Sequence, residues 1–107
     1  MTTHPIDRLF AAIEARKNAD PNLSYTAKLI AEGRVNCAKK LGEEAIETCI
    51  AAVGEDRDAL TAESADLIYH LLVLWAASDL KPDDVYRALA AREGRSGLEE
   101  KAARQKR

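Results

Sequence analysis

The fold is decided by the stretch LIYHLLVLWAA at residues 67–77. Its side chains are apolar on almost every side of a helix, and a helix of that kind is usually buried. The sequence therefore predicts a central helix over residues 57–78, ended by the break at Pro82. One leucine stripe at helical spacing supports this range: Leu60, Leu67, Leu71 and Leu74.

Further helical segments surround the central helix. Apolar residues at helical spacing predict a helix over residues 4–16, with Pro5 at its first position and Thr3 or His4 as its cap. Ser24 is a suitable cap for the next segment. The other predicted helices, in chain order, cover residues 25–32, 35–53, 82–94 and about 97–105.

Composition favours helices throughout the chain. There are 20 Ala and 12 Leu residues against 4 Val and 6 Ile, with 5 Gly and 3 Pro. This balance excludes a β-sandwich, a barrel and a glycine-rich nucleotide fold. We expect one all-α domain over residues 1–107, a bundle of four to five helices with two long central antiparallel helices. Residues 93–107 are expected to form a basic extension. A domain this small has a limited core, which favours a homo-oligomer.

Charge and cysteine content narrow the class of protein. The net charge is −2, which excludes a globally basic nucleic-acid binder. No apolar run is long enough for a membrane span, and the first five residues lack signal-peptide features, so we expect a cytoplasmic protein. Cys37 and Cys49 are separated by roughly 18 Å on one straight helix. That is too far for a disulfide, so both are expected to be reduced and buried.

The acidic residues carry the functional signal. Residues 43–66 contain eight acids and one base. Glu44 and Glu47 are three apart on one predicted helix, and Glu63 and Asp66 are three apart on the next, so each pair shares a helix face. Antiparallel packing lets the two pairs meet. Carboxylates that converge repel one another unless a hard cation such as Mg²⁺ or Mn²⁺ binds between them.

Other interpretations of these residues stay open. The acids could form a solvated charged face. A di-iron centre is disfavoured because His70 follows Asp66 by four residues and no Glu by three. Lys39 and Lys40 could contact phosphate oxygens, or they could form ion pairs with Glu43 and Glu44.

Around these acids the chain resembles the phosphoribosyl-ATP pyrophosphatase family, all-α MazG-like enzymes of histidine biosynthesis. The family pattern Glu-Glu-x-x-Glu, then Glu-x-x-Asp, reads EEAIE at 43–47 and ESAD at 63–66. The resemblance covers roughly residues 6–92. More specific matches are SYTAKL at 24–29, KLGEE at 40–44 and DLIYHLLV at 66–73.

The resemblance implies hydrolysis of phosphoribosyl-ATP to phosphoribosyl-AMP and pyrophosphate with Mg²⁺, the second step of L-histidine biosynthesis. It implies a homodimer with active sites near the subunit interface. Its implied metal ligands are Glu44, Glu47, Glu63 and Asp66. Its implied catalytic residues are Glu43, Glu44 and Glu47, with Glu43 as a further ligand or the base that activates water. Its implied substrate contacts are Lys40, Lys28, Tyr25 and His70.

Two other functions compete with this one. A housecleaning pyrophosphohydrolase would use the same metal chemistry on free nucleoside triphosphates. A non-catalytic helical dimerisation module would show no Mg²⁺-dependent activity. His70 could also be structural, through a hydrogen bond to Asp66 or a contact with a partner subunit.

Overall fold

The computed structural model describes residues 4–94 and 97–105, and they form six helices. The all-α class is confirmed, with one helix more than the upper end of the predicted four to five, because the short second and last segments both form separate helices. Thr3, the alternative cap of the first helix, lies outside the described residues. The helices are α1 (Pro5–Arg16), α2 (Tyr25–Ala31), α3 (Arg34–Val53), α4 (Arg57–Ala77), α5 (Pro82–Ala90) and α6 (Gly97–Gln105).

The helix ends follow local sequence chemistry. His4 Nδ1 accepts from the backbone N–H of Ile6, and the Ser24 hydroxyl accepts from that of Ala27. These bonds satisfy N–H groups that a helix leaves without partners in its first turn. Gly33 precedes α3 with φ of 99°, a conformation that favours glycine. The chain can therefore turn from α2 directly into α3.

The core lies around the second half of α4, as the stretch at 67–77 predicts. Leu72, Val73 and Ala76 are buried there against residues of α1, α2 and the start of α3. Lys17 adds a polar tie, because its Nζ donates to the carbonyl oxygen of Ala76 at 2.9 Å. The partners of α4 in this core are Phe10, Ile13, Leu29 and Cys37.

α3 and α4 form an antiparallel hairpin with the most extensive helix contact in the fold. Its connection is short, and Glu55 within it has φ of 58°. None of the residues from 38 to 69 is buried, so the half of the hairpin nearest this connection contributes nothing to the core. The core is therefore concentrated at the other end of α4.

The expected burial of both cysteines is wrong for one of them. Both thiols are free as expected, but Cys37 is buried and Cys49 is exposed. The apolar side of α3 after Leu41 faces away from the α4 core, because α4 already packs against the neighbouring face. An open groove results, which we call the α3 groove; it is lined by Ala45, Ile46, Cys49, Ile50 and Val53.

The last two helices are peripheral. α5 is tied to α1 by the Tyr86 hydroxyl, which donates to Asp7 Oδ1 at 2.9 Å, and its first residue, Pro82, is buried. α6 exposes Leu98. Within the described residues, no helix combines the length and apolar character needed to cross a membrane.

Candidate active site

Three carboxylates converge where α3 packs against α4. Glu44 extends from α3, and Glu63 and Asp66 extend from successive turns of α4. One oxygen from each lies within 4.8 Å of the others. Three of the four predicted ligands are thus brought together: both members of the i, i+3 pair on α4 and one member of the pair on α3. Glu47 stands outside this group, close enough for its charge to act on Glu63.

Thr48 fixes the two helices relative to each other at this point. Its Oγ1 hydrogen-bonds the Glu44 carbonyl at 2.8 Å and lies 3.2 Å from the Glu63 carbonyl on α4. A threonine hydroxyl often bonds the preceding turn of its own helix. Here it also reaches across the seam, so the backbones that carry two of the carboxylates are joined. The spacing of the acids does not reveal this contact.

Glu63 is the most constrained of the carboxylates. Its Oε2 is inaccessible to solvent and has no hydrogen-bond partner. Desolvation raises the pKa of Glu63, and the negative charges of Glu47, Glu44 and Asp66 raise it further. An unpaired buried oxygen among like charges is unfavourable unless a cation compensates for it.

The donor set therefore fits a hard divalent cation. All the converging atoms are carboxylate oxygens, which Mg²⁺ and Mn²⁺ prefer, and no sulfur or imidazole donor belongs to the group. A cation held there would be coordinated by carboxylate oxygens of Glu44, Glu63 and Asp66 and would offset the repulsion between the three side chains.

Lys40 and His70 lie at the edge of this cluster. Lys40 Nζ lies 3.5 Å from Glu43 Oε1, an i, i+3 pair rather than either of the expected i, i+4 pairs. His70 is buried, with Nε2 at 3.9 Å from Glu44 Oε1. Burial lowers the pKa of His70; Asp66 and Glu43 oppose this shift, whereas Lys40 reinforces it.

An aromatic cluster borders the same site. The ring of Tyr25 lies 6.2 Å from that of His70, edge to face, and 6.4 Å from that of Tyr69, nearly parallel. The hydroxyl groups of Tyr69 and the buried Thr26 are hydrogen-bonded at 2.6 Å. Tyr25 and His70 are thus in contact with each other, while Lys28 is exposed on the last turn of α2. Neither the role of Thr26 nor that of Thr48 could be found from the acid motif.

Comparison with known proteins assigns the family. The family model described as phosphoribosyl-ATP pyrophosphohydrolase matches residues 6–93. The chain belongs to the phosphoribosyl-ATP pyrophosphohydrolase family. The matched range contains every site residue described above and stops before α6.

This chain is similar to members of the family over nearly their whole length. The chain is 64% identical over 99 residues to a protein named phosphoribosyl-ATP pyrophosphatase from Parvibaculum lavamentivorans, covering 92% of this chain and 91% of that one. It is 57% identical over 99 residues to a protein of the same name from Azospirillum brasilense, covering 92% and 89%. A third, from Caulobacter vibrioides, is 59% identical over 102 residues, covering 95% and 94%.

Proposed function

We propose that this chain hydrolyses phosphoribosyl-ATP to phosphoribosyl-AMP and pyrophosphate, the second step of L-histidine biosynthesis. The observation that carries the proposal is the convergence of Glu44, Glu63 and Asp66 in a chain of the phosphoribosyl-ATP pyrophosphohydrolase family. Because the substrate derives from ATP, the cytoplasm stays the expected compartment.

Mg²⁺ is the proposed metal, with Mn²⁺ as a substitute that the same oxygen donors accept. Glu44, Glu63 and Asp66 would hold it, with Glu47 beside them. When bound, it would neutralise charge on the phosphate oxygens of the substrate. The Oε2 of Glu63 supports this assignment, since it is buried without a hydrogen-bond partner.

The other site residues are proposed to activate water and to contact the substrate. Glu43 is exposed next to the carboxylate group and is the proposed base that orients and deprotonates water. Lys40, whose Nζ lies 3.5 Å from Glu43 Oε1, would contact a phosphate oxygen of the substrate. Lys28 would contact the substrate from α2. His70 is buried, with Nε2 at 3.9 Å from Glu44 Oε1, and stays a proposed substrate contact.

A homodimer is the proposed assembly. Ile46, Ile50 and Val53 of the α3 groove are each more than 60% exposed, at 63%, 66% and 84%. A contiguous apolar face of this kind marks an interaction surface. The groove and Glu44 share α3, so a second copy seated on the groove would lie beside the active site.

Binding of the metal predicts a measurable stabilisation. At a Mg²⁺ concentration about one hundred times its Kd, a ligand that binds only the folded state stabilises it by about 2.7 kcal/mol. Differential scanning fluorimetry should then show a Tm rise of more than about 5 °C for the wild type. Glu63→Gln should lose most of this rise, while Asp58→Asn, which alters an exposed acid on the same helix, should keep it. Equal rises in all three proteins would contradict the proposed ligand.

The function itself is tested by turnover. The purified chain should release pyrophosphate from phosphoribosyl-ATP much faster than from dCTP or dUTP, and in ¹⁸O-water the label should enter phosphoribosyl-AMP, because attack is proposed at the α-phosphorus. The chain should also restore growth without histidine to a strain that lacks this step. Preference for dCTP or dUTP would favour a housecleaning enzyme, and absence of any Mg²⁺-dependent turnover would favour a dimerisation module.

A further inference from the structure

The family resemblance implies that Tyr25 contacts the substrate, but it does not say which part of the substrate this residue contacts. The residue is 55% exposed at the start of α2. Its ring centre lies 6.2 Å from that of His70, whose Nε2 is in turn 3.9 Å from Glu44 Oε1. A single side chain therefore separates Tyr25 from the carboxylates, and the tyrosine stands on the open side.

Neighbouring residues of the protein hold the ring of Tyr25 in position. Tyr69 lies nearly parallel to it, with an angle of 18° between the ring planes. Tyr69 is itself held by the hydrogen bond to Thr26, which is only 6% exposed. Ser24 caps the helix immediately before Tyr25 and fixes the backbone there. The exposed ring is thus ordered before any ligand arrives, which lowers the entropy lost on binding.

A flat, ordered and exposed aromatic ring beside a site for phosphates can bind the base of a nucleotide substrate. The substrate of the proposed function carries a triphosphate and a purine base on the same ribose, with a further phosphoribosyl group on the base. If the phosphates lie at the carboxylates, the base lies within reach of the neighbouring surface, and an aromatic ring can hold it by stacking. Resting on the proposed function, we propose that the ring of Tyr25 is the surface on which the purine base of the substrate stacks, with Tyr69 as its positioning residue.

Kinetics on the full-length chain test this role. Tyr25→Leu keeps an apolar side chain but removes the flat ring, so KM for phosphoribosyl-ATP should rise on the order of tenfold. The contact is present in ground and transition states alike, so kcat should change by less than about threefold. Tyr25→Phe keeps the ring and should keep KM. Leu89→Ala, at an equally exposed apolar residue on α5, should also keep KM.

Inhibition by the two products distinguishes a loss of base stacking from general damage to the active site. In Tyr25→Leu the inhibition constant of phosphoribosyl-AMP should rise by the same factor as KM, while that of pyrophosphate, which has no base, should stay unchanged. An unchanged KM in Tyr25→Leu, an equal loss in Tyr25→Phe, or an equal loss of pyrophosphate affinity would overturn the proposal. Failure of the proposed function would show differently, as a wild-type chain that does not turn over phosphoribosyl-ATP at all.

Discussion

Asp66→Asn is expected to lower kcat for phosphoribosyl-ATP by on the order of a thousandfold. The change removes one of three converging carboxylates and with it part of the charge that holds the cation against the phosphates. The fold should survive, because the same change relieves repulsion with Glu44 and Glu63. Steady-state release of pyrophosphate measures the loss, and urea unfolding in metal-free buffer measures stability.

The control for this prediction is Asp58→Asn. Asp58 is also an exposed aspartate of α4, two turns before Asp66 and outside the carboxylate group. It should keep wild-type kcat, with only the small stability loss expected for an acid in the first turn of a helix. The metal assignment would be contradicted if Asp66→Asn kept full activity, or if its activity fell only because the protein unfolded.

Ile50→Glu is expected to raise the dissociation constant of the homodimer on the order of a hundredfold. Ile50 is central in the α3 groove, and a carboxylate buried there would have no partner. Analytical ultracentrifugation over a concentration series measures the change. Because the groove is exposed in the single chain, the monomer should keep its helical content by circular dichroism.

Leu89→Glu is the matched control for the interface. It places the same charge on an exposed leucine of α5, which is tied to α1 rather than to α3. This variant should sediment like the wild type. A wild-type chain that is monomeric at all concentrations, or an Ile50→Glu variant that still dimerises, would show that the α3 groove is not the interface.

Much of the fold was predictable because its signals are local. Pro5 and Ser24 mark helix starts through their own backbone chemistry, and the stretch at 67–77 has too few polar residues to be anything but a buried helix. The convergence of Glu44, Glu63 and Asp66 was also predictable, since i, i+3 spacing and a short connection leave two antiparallel helices few ways to pack.

The remaining features depend on neighbours that spacing does not specify. Apolar residues of α3 recur at helical spacing, but spacing alone does not tell whether that side of the helix packs against the same chain, so the exposure of Cys49 was missed. The cross-helix bond of Thr48 and the ring pair of Tyr25 and Tyr69 join residues 15 and 44 positions apart. Such contacts follow from the rotation of each helix, which a single sequence leaves undetermined.

The uneven placement of the core has a consequence for how the molecule opens. Buried residues stop at Cys37 on α3 and resume at His70 on α4, so the tip of the hairpin between them has little packing of its own. Segments with few buried contacts open locally at a lower free energy than global unfolding requires. In this chain that segment carries both the carboxylates and the α3 groove. Metal and a second subunit would therefore both slow hydrogen exchange of the backbone amides in this segment, and each would add to the protection that the other provides.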